Sequence, residues 1–402
     1  SPHRSTTASC MVRRALVTAF GLLVLLASHT LAFSVQPTMQ APKRPDVVVC
    51  GAGVIGASVA YHLSLRGVNV HIVDKAGVAK AASGKAGGFL ALDWNDGSPV
   101  GPLSRKSFEL HQQLADTLGL DSYRRLTCSA IAVDASGKPA SKKLANVEWV
   151  DLGTQGQRVM GTEETIAQVH PRQLTEALVA AAKERGCTME VGSVEGIVVE
   201  GVEGKKRATG VTVGGKTIET DKVVIAMGPW SAQAAKGLDL PPMYGQKYHS
   251  VLMQNERTLS QAVFFQGLGD PEVYPRPKGE VYVTGFPDSP VTVKEQPGEE
   301  EVRAEVTDRL ISTVRKVSSE LKDAEVSKTQ SCHLPLAADG TPVIGKVPGV
   351  EGAFVATGHG CWGILNAPAT GLAMAELIVD GAASSVPLEA FDPARFAGVT
   401  FR

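Results

Sequence analysis

The chain has 402 residues, with 40 Lys plus Arg against 41 Asp plus Glu and a formal net charge of −1, which offers no basic face for a nucleic-acid backbone. Its length accommodates two domains or one large interwoven unit. With 42 glycines and 5% aromatics it suits an α/β enzyme with many tight turns better than a helical bundle or a disordered chain.

Residues 1–45 differ from the rest. Met11 is followed by Arg13-Arg14 and an apolar run from Ala15 to Ala27, then small residues up to Leu31-Ala32, the order of a signal peptide. At 13 residues the run is short of the roughly 20 that a spanning helix needs, so no stable membrane insertion is expected after its removal. Phe33 and the acid-free FSVQPTMQAPKRP resemble the two-part presequence of algae with complex plastids. The plastid therefore stands beside the secretory lumen as an expected destination.

VVVCGAGVIG, Val47 to Gly56, reads as strand, turn and helix, and VAYHLSLRG continues the helix. Gly51 allows the tight turn, Gly53 lets the amides around Val54 and Ile55 approach a pyrophosphate, and Gly56 brings helix and strand together. A second strand, VNVHIV, ends at Asp74, 23 residues after Gly51, where a carboxylate suits a ribose 2′-OH; Lys75 follows it. KAASGKAGGFLALDW, Lys80 to Trp94, is either a surface loop or a second phosphate-wrapping segment in which Ser83, Gly84 and Lys85 supply hydroxyl, backbone and charge.

Phe108, Leu110, Leu114 and Leu118 give a helix over 104–118, and residues 128–135 alternate as a strand. Pro171 and Gly186 bracket a helix over 172–185. VEGIVVEG and ATGVTVGGKTIETDKVVIA form a β-meander that ends in VVIAMGPWS. Residues 242–293 are strand-rich, and Val302, Val306, Leu310, Val314 and Val317 mark a helix whose Glu299-Glu300-Glu301 start reads as a solvated first turn. AFVAT then meets a Gly-rich turn and a helix beginning near Asn366. Six cysteines, at 10, 50, 128, 187, 332 and 361, show no CxxC pair, so neither a metal site nor a disulfide scaffold is expected.

Three stretches together, GAGVIG with Asp74, VVIAMGPWS, and DGTPVIG followed by ATGHGCWGILNAPATG, resemble the D-amino-acid oxidase and glycine oxidase superfamily of FAD-dependent oxidoreductases over residues 46–384. Within it the chain is similar to a eukaryotic branch that includes a yeast oxidoreductase implicated in endosomal trafficking. The resemblance implies an α/β fold: a Rossmann-like FAD-binding domain, a parallel sheet with a β-meander, interwoven with an antiparallel-sheet substrate domain. The first would comprise 46–95, 165–235 and 330–384, the second 96–164 and 236–329, with 385–402 as a tail. It further implies that the backbone of Val194 reads adenine and that Gly228 and Trp230 form a second flavin-side turn. Gly358, Gly360 and the amides of Gly363, Ile364 and Leu365 would then lie against the isoalloxazine, where a helix dipole stabilises charge on reduction.

Amino-acid oxidases of this superfamily commonly clamp the substrate carboxylate with an arginine five residues before the Asp of this motif; in SCHLPLAADG that position is Leu334. Arg276 is a candidate substitute, or a surface residue of a Pro-rich turn. His359, beside the flavin turn, is an acid–base candidate or a packed histidine. Cys332, seven residues before Asp339, has the spacing at which the sarcosine and pipecolate oxidase branch links flavin covalently; an inert buried thiol is the other reading. The expected reaction is hydride transfer from the carbon next to an amine to flavin N5, giving an imine, with O2 or another acceptor taking the electrons. A 2-hydroxy-acid dehydrogenase and a non-catalytic flavoprotein with a trafficking or assembly role are the alternatives.

Overall fold

Strand Val47–Cys50 is apolar at all four positions because both its faces are covered. In the computed structural model, which describes residues 44–139, 144–202, 206–234 and 237–400, Val47 and Val49 join one apolar core and Val48 and Cys50 another. The first core is formed with helices Val54–Leu65, Gly101–Leu118, Pro171–Glu184 and Gly363–Val379, and the second with the meander Val194–Glu200, Lys206–Val213 and Lys216–Glu219. A continuous hydrophobic run is the pattern such double cover requires. The presequence expected for residues 1–45 lies outside the described residues except for Arg44 and Pro45.

That strand is central in a six-stranded sheet ordered Val343–Lys346, Ala353–Thr357, Val223–Ile225, Val47–Cys50, Val70–Asp74, Thr188–Val191. All pairs are parallel except the antiparallel edge formed by Val343–Lys346. A second, seven-stranded sheet runs Glu325–Ala337, Met243–Gln254, Glu280–Gly285, Glu272–Pro275, Gln261–Gln266, Thr127–Val133, Thr154–Gly161. It is antiparallel apart from the Gln261–Gln266 and Thr127–Val133 pair. One of its faces, with Val251, Val263, Val273 and Val283, packs on Leu310, Val314 and Val317 of helix Ala304–Val317. The opposite face carries Tyr274 and Tyr282 and packs with Phe89, Trp94 and Trp362. Strand Glu325–Ala337 stays in this sheet throughout, so it crosses the boundary expected at 330.

Two details differ from the sequence reading. The C-terminal helix begins at Gly363, three residues before Asn366. Helix Ala304–Val317 begins after the three acids, and Glu300 is buried rather than solvated, because Lys85 pairs with it and the Gly298 amide donates to its other oxygen at 3.1 Å.

Gly360–Val379 is long and apolar enough to cross a membrane, yet it is mostly buried as the core helix of this fold. Its Pro368 has no N–H, so the Ile364 carbonyl lacks its helical donor. Two side chains of helix Gly101–Leu118 compensate: His111 Nε2–H donates to the carbonyls of Ile364 (3.0 Å) and Leu365 (3.1 Å), and the Ala369 amide donates to Ser107 Oγ (2.9 Å). One turn on, Gly371 meets helix Val54–Leu65 so closely that a Cβ would lie 2.5 Å from the Ser58 carbonyl carbon.

Gly371→Ala is therefore expected to destabilise the protein by roughly 1–3 kcal/mol through overpacking. Gly156→Ala, where a Cβ meets nothing within 4 Å, serves as the neutral comparison; equal thermal midpoints would refute the close-packing argument.

Burial lowers the pKa of His62 and His111 to about 4 and of His359 to about 3, from 6.5. The unfolded chain thus binds protons that these folded imidazoles do not, and stability falls as the pH drops from about 6.5 towards 4. His111→Gln keeps a donor for the two carbonyls but cannot titrate. Denaturant melts at pH 6.5 and 4.5 should show an average slope roughly 1 kcal/mol per pH unit shallower than wild type, and an unchanged slope would contradict the assignment.

Candidate active site

At the carboxyl end of strand Val47–Cys50 the chain turns at Gly51, whose φ of +111° and closeness to the Ala226 carbonyl (2.3 Å from an added Cβ) leave no room for a side chain. Gly53 then caps helix Val54–Leu65 without a side-chain hydrogen bond of its own. The Val54 amide donates to Ser83 Oγ at 2.9 Å, so an acceptor oxygen already occupies the helix N-terminus. Asp74 fastens this turn: its Oδ2 accepts from Ala52 N (2.7 Å) and its Oδ1 from Ala76 N and Gly77 N (both 2.8 Å). Oδ2, with one donor, keeps a lone pair for another, while Oδ1 has both of its own in use.

From this turn a cleft of about 1300 Å³, including the part open to solvent, runs along the strand ends. Gly51, Gly53, Val54, Ile55, Asp74 and Ser83 line its outer end, with Lys75 at the rim donating to Gln296. Val194 lies on one wall, and Gly228 and Trp230 on another. Trp230 is held by a hydrogen bond from Nε1 to the Glu295 carbonyl at 3.0 Å. Gly360, Gly363 and Ile364 close the inner end together with His359 and Cys361. Two helix N-termini thus open into one cleft, Val54–Leu65 at one end and Gly363–Val379 at the other.

Other expected residues stand back from the lining. Gly56 acts behind it: a Cβ there would lie 2.0 Å from the Gly51 carbonyl oxygen. Gly84 and Lys85 end the one-turn helix Ala82–Lys85, and the Lys85 charge goes to Glu300 rather than to the cleft. Gly358 packs against Ala337 and Met243, and Leu365 is buried in the core.

The three reactive candidates fare differently. Arg276 is 4% exposed: Nη1 donates to Glu280 at 2.6 Å, Nη2 to the Ala86 carbonyl at 2.6 Å, and the guanidinium carbon lies 5.0 Å from the Tyr282 ring centroid, while Nε has no partner among the described residues. It does not line the cleft, and its charge is spent on Glu280. Cys332 sits mid-strand opposite Tyr248, outside the lining, with burial pushing its thiol up to about 12. Leu334, two residues on, does line the cleft. His359 lines it too, but burial keeps the imidazole neutral; Nε2 shares a hydrogen bond with Thr370 Oγ1 at 3.1 Å, and Nδ1 has no partner among the described residues.

Sequence reasoning missed His111, which supports the inner helix end. It is a single polar residue in a helix read only for its apolar face. The usable signal was Pro368 inside a predicted helix, since the carbonyl it orphans must find a donor elsewhere. Thr357, whose Oγ1 donates to the Gly228 carbonyl at 2.9 Å and ties the two inner turns together, carried no signal at all.

A profile of the FAD dependent oxidoreductase family (DAO) matches residues 46–377. An oxidoreductase of Schizosaccharomyces pombe is 29% identical over 383 residues, covering 87% of this chain and 97% of that protein. Glycine oxidase of Bacillus licheniformis is 29% identical over 379 residues, covering 88% of this chain and 98% of the relative. The crystal structure of glycine oxidase from Bacillus cereus is similar to this fold with a TM-score of 0.72 at 26% identity, covering 85% of this chain and 98% of that one. With its parallel sheet, glycine turn and C-terminal helix end arranged around one cleft, the chain belongs to the DAO family of FAD-dependent oxidoreductases.

Proposed function

We propose that this chain oxidises an amine, taking a hydride from the carbon next to the nitrogen and leaving an imine that water hydrolyses. The observation that carries the reading is the inner end of the cleft. There the N-terminus of helix Gly363–Val379 faces inward and no ionisable side chain competent at neutral pH is needed for the transfer. Similarity to glycine oxidases supports the amine as reductant.

The residues fit the cofactor. Glycines at 51 and 53 leave backbone where phosphate must approach, and the Val54 amide reaches an acceptor oxygen there already. FAD, when bound, supplies the hydride acceptor. Gly53, Val54 and Ile55 would hold its pyrophosphate, Asp74 its ribose and Val194 its adenine. The amides of Gly363 and Ile364 would meet the charge that grows on reduction, strengthened by the helix dipole. His111 keeps that helix end in place, and His359 buttresses the turn through Thr370 as a neutral imidazole. Leu334 presents an apolar wall where a guanidinium clamp would stand.

The direct test is anaerobic titration of the purified yellow protein with amines, amino acids and 2-hydroxy acids, followed by admission of O2. Loss of the visible flavin band with amines supports the reading, and loss with hydroxy acids alone would overturn it. Gly53→Glu should purify colourless, because its carboxylate would meet the pyrophosphate and Ser83 Oγ, 3.1 Å from a Cβ there.

Cys332 leaves the flavin unattached in this reading, since its thiol is buried and held protonated. Acid precipitation should release all yellow colour to the supernatant. Flavin retained in the pellet, and lost from it in Cys332→Ala, would refute this.

A further inference from the structure

We propose that the substrate is recognised through a cationic amine held by Glu272 within an aromatic box, rather than through a carboxylate. The inference deepens the amine-oxidation reading and rests on it.

Glu272 belongs to strand Glu272–Pro275, with Phe264 opposite it on one neighbouring strand and Thr284 on the other. Tyr274 follows on the same face, two residues on, opposite Tyr282. This is the face of the seven-stranded sheet that packs with Phe89, Trp94 and Trp362. Trp362 directly follows Cys361, an exposed residue of the cleft lining. The strand register sets Glu272, Thr284, Ser250 and Gln330 in one row, and Cys332 and Leu334 follow Gln330 at two-residue steps, so the carboxylate shares the sheet face whose Leu334 lines the cleft.

Its isolation is unusual in this chain. Glu300 is buried against Lys85, and Glu295 meets Lys247 at 2.5 Å and His333 at 3.1 Å. Glu272 accepts from the Tyr274 hydroxyl, and among the described residues no Lys, Arg or His forms an ion pair with it. The arginines near this part of the sheet are engaged elsewhere: Arg276 with Glu280 and Ala86, and Arg124 with the carbonyls of Leu259 and Pro275. Burial alone raises the Glu272 carboxyl above its ordinary range. A desolvated carboxylate without a counter-charge is costly; a substrate ammonium removes that cost on binding, and its proton passes to the Glu272 carboxylate before the neutral amine gives up hydride.

The surrounding rings suit the same ion. Phe89 stacks on Tyr274 with centroids 5.2 Å apart and meets Phe264 edge-on at 5.3 Å, while Trp94 lies 5.2 Å from Phe264 and 6.2 Å from Trp362. Aromatic faces attract desolvated ammonium groups and give an anion nothing comparable. Leu334 stands where a guanidinium would clamp a carboxylate, and the Arg276 guanidinium over the Tyr282 ring is already paired with Glu280.

The experiment uses the FAD-loaded protein and two probes that cannot be oxidised at a nitrogen-bearing C–H by simple turnover: tetramethylammonium and acetate. Binding is followed by tryptophan fluorescence and by perturbation of the visible flavin spectrum. Tetramethylammonium is expected to bind at least tenfold more tightly than acetate, and Glu272→Gln to weaken it at least tenfold with FAD content and thermal midpoint preserved. Tyr274→Phe, which keeps the carboxylate and frees its oxygen, should retain the cation. Should Glu272→Gln lose FAD or fold poorly, Phe264→Leu, which removes one ring of the box but leaves Glu272 in place, is expected to weaken the cation selectively. Acetate binding as tightly as the ammonium, or an ammonium affinity within twofold of wild type in Glu272→Gln, would overturn the proposal. The binding readout separates the two readings. Glu272-dependent cation binding without bleaching by any amine sinks amine oxidation alone, while amine bleaching with Glu272-independent binding sinks this site alone.

Discussion

The carboxyl ends of the parallel strands are the constraint from which the rest follows. There Cys50, Asp74 and Ile225 leave the ladder side by side, and the backbone must turn within a few residues while still satisfying its amides. Gly51 turns without a Cβ, the Asp74 carboxylate collects three backbone amides, and Ser83 answers the first helical N–H. These contacts keep the outer end of the cleft rigid before any cofactor arrives.

The inner end is built by a different device. A proline is placed in the helix whose N-terminus faces the cleft, and a neighbouring helix supplies the missing donor and acceptor from His111 and Ser107. The repair couples two helices, so the position of Gly363 and Ile364 depends on packing far from the cleft itself. Gly371 completes the arrangement by letting the helices that begin at the two ends of the cleft touch backbone to backbone.

Charge placement divides the carboxylates by task. Buried Glu300 and half-exposed Glu295 have lysine partners and join segments distant in sequence, while half-buried Glu272 has a tyrosine hydroxyl and Phe264 on the neighbouring strand. A buried pair is an internal affair of the fold; a buried carboxylate with no cation is an open valence for a ligand.

Local sequence was enough for the strand–turn–helix around Gly51, the meander and the FAD-binding class, because those depend on periodicity and on residues within one turn of each other. The same locality explains why Glu299-Glu300-Glu301 read as solvent-facing: the helix dipole is a neighbour effect, whereas Lys85 lies more than 200 residues away in sequence. Arg276 looked available although its charge partner Glu280 is only four residues on; the Ala86 carbonyl that helps bury it is 190 residues distant. The sequence by itself determined which backbone segments must be bare of side chains and which strands must be buried on both faces. Only the tertiary structure decided which charges are spent on each other and which remain for a substrate, because that balance is struck between side chains that the fold, and not the chain order, brings together.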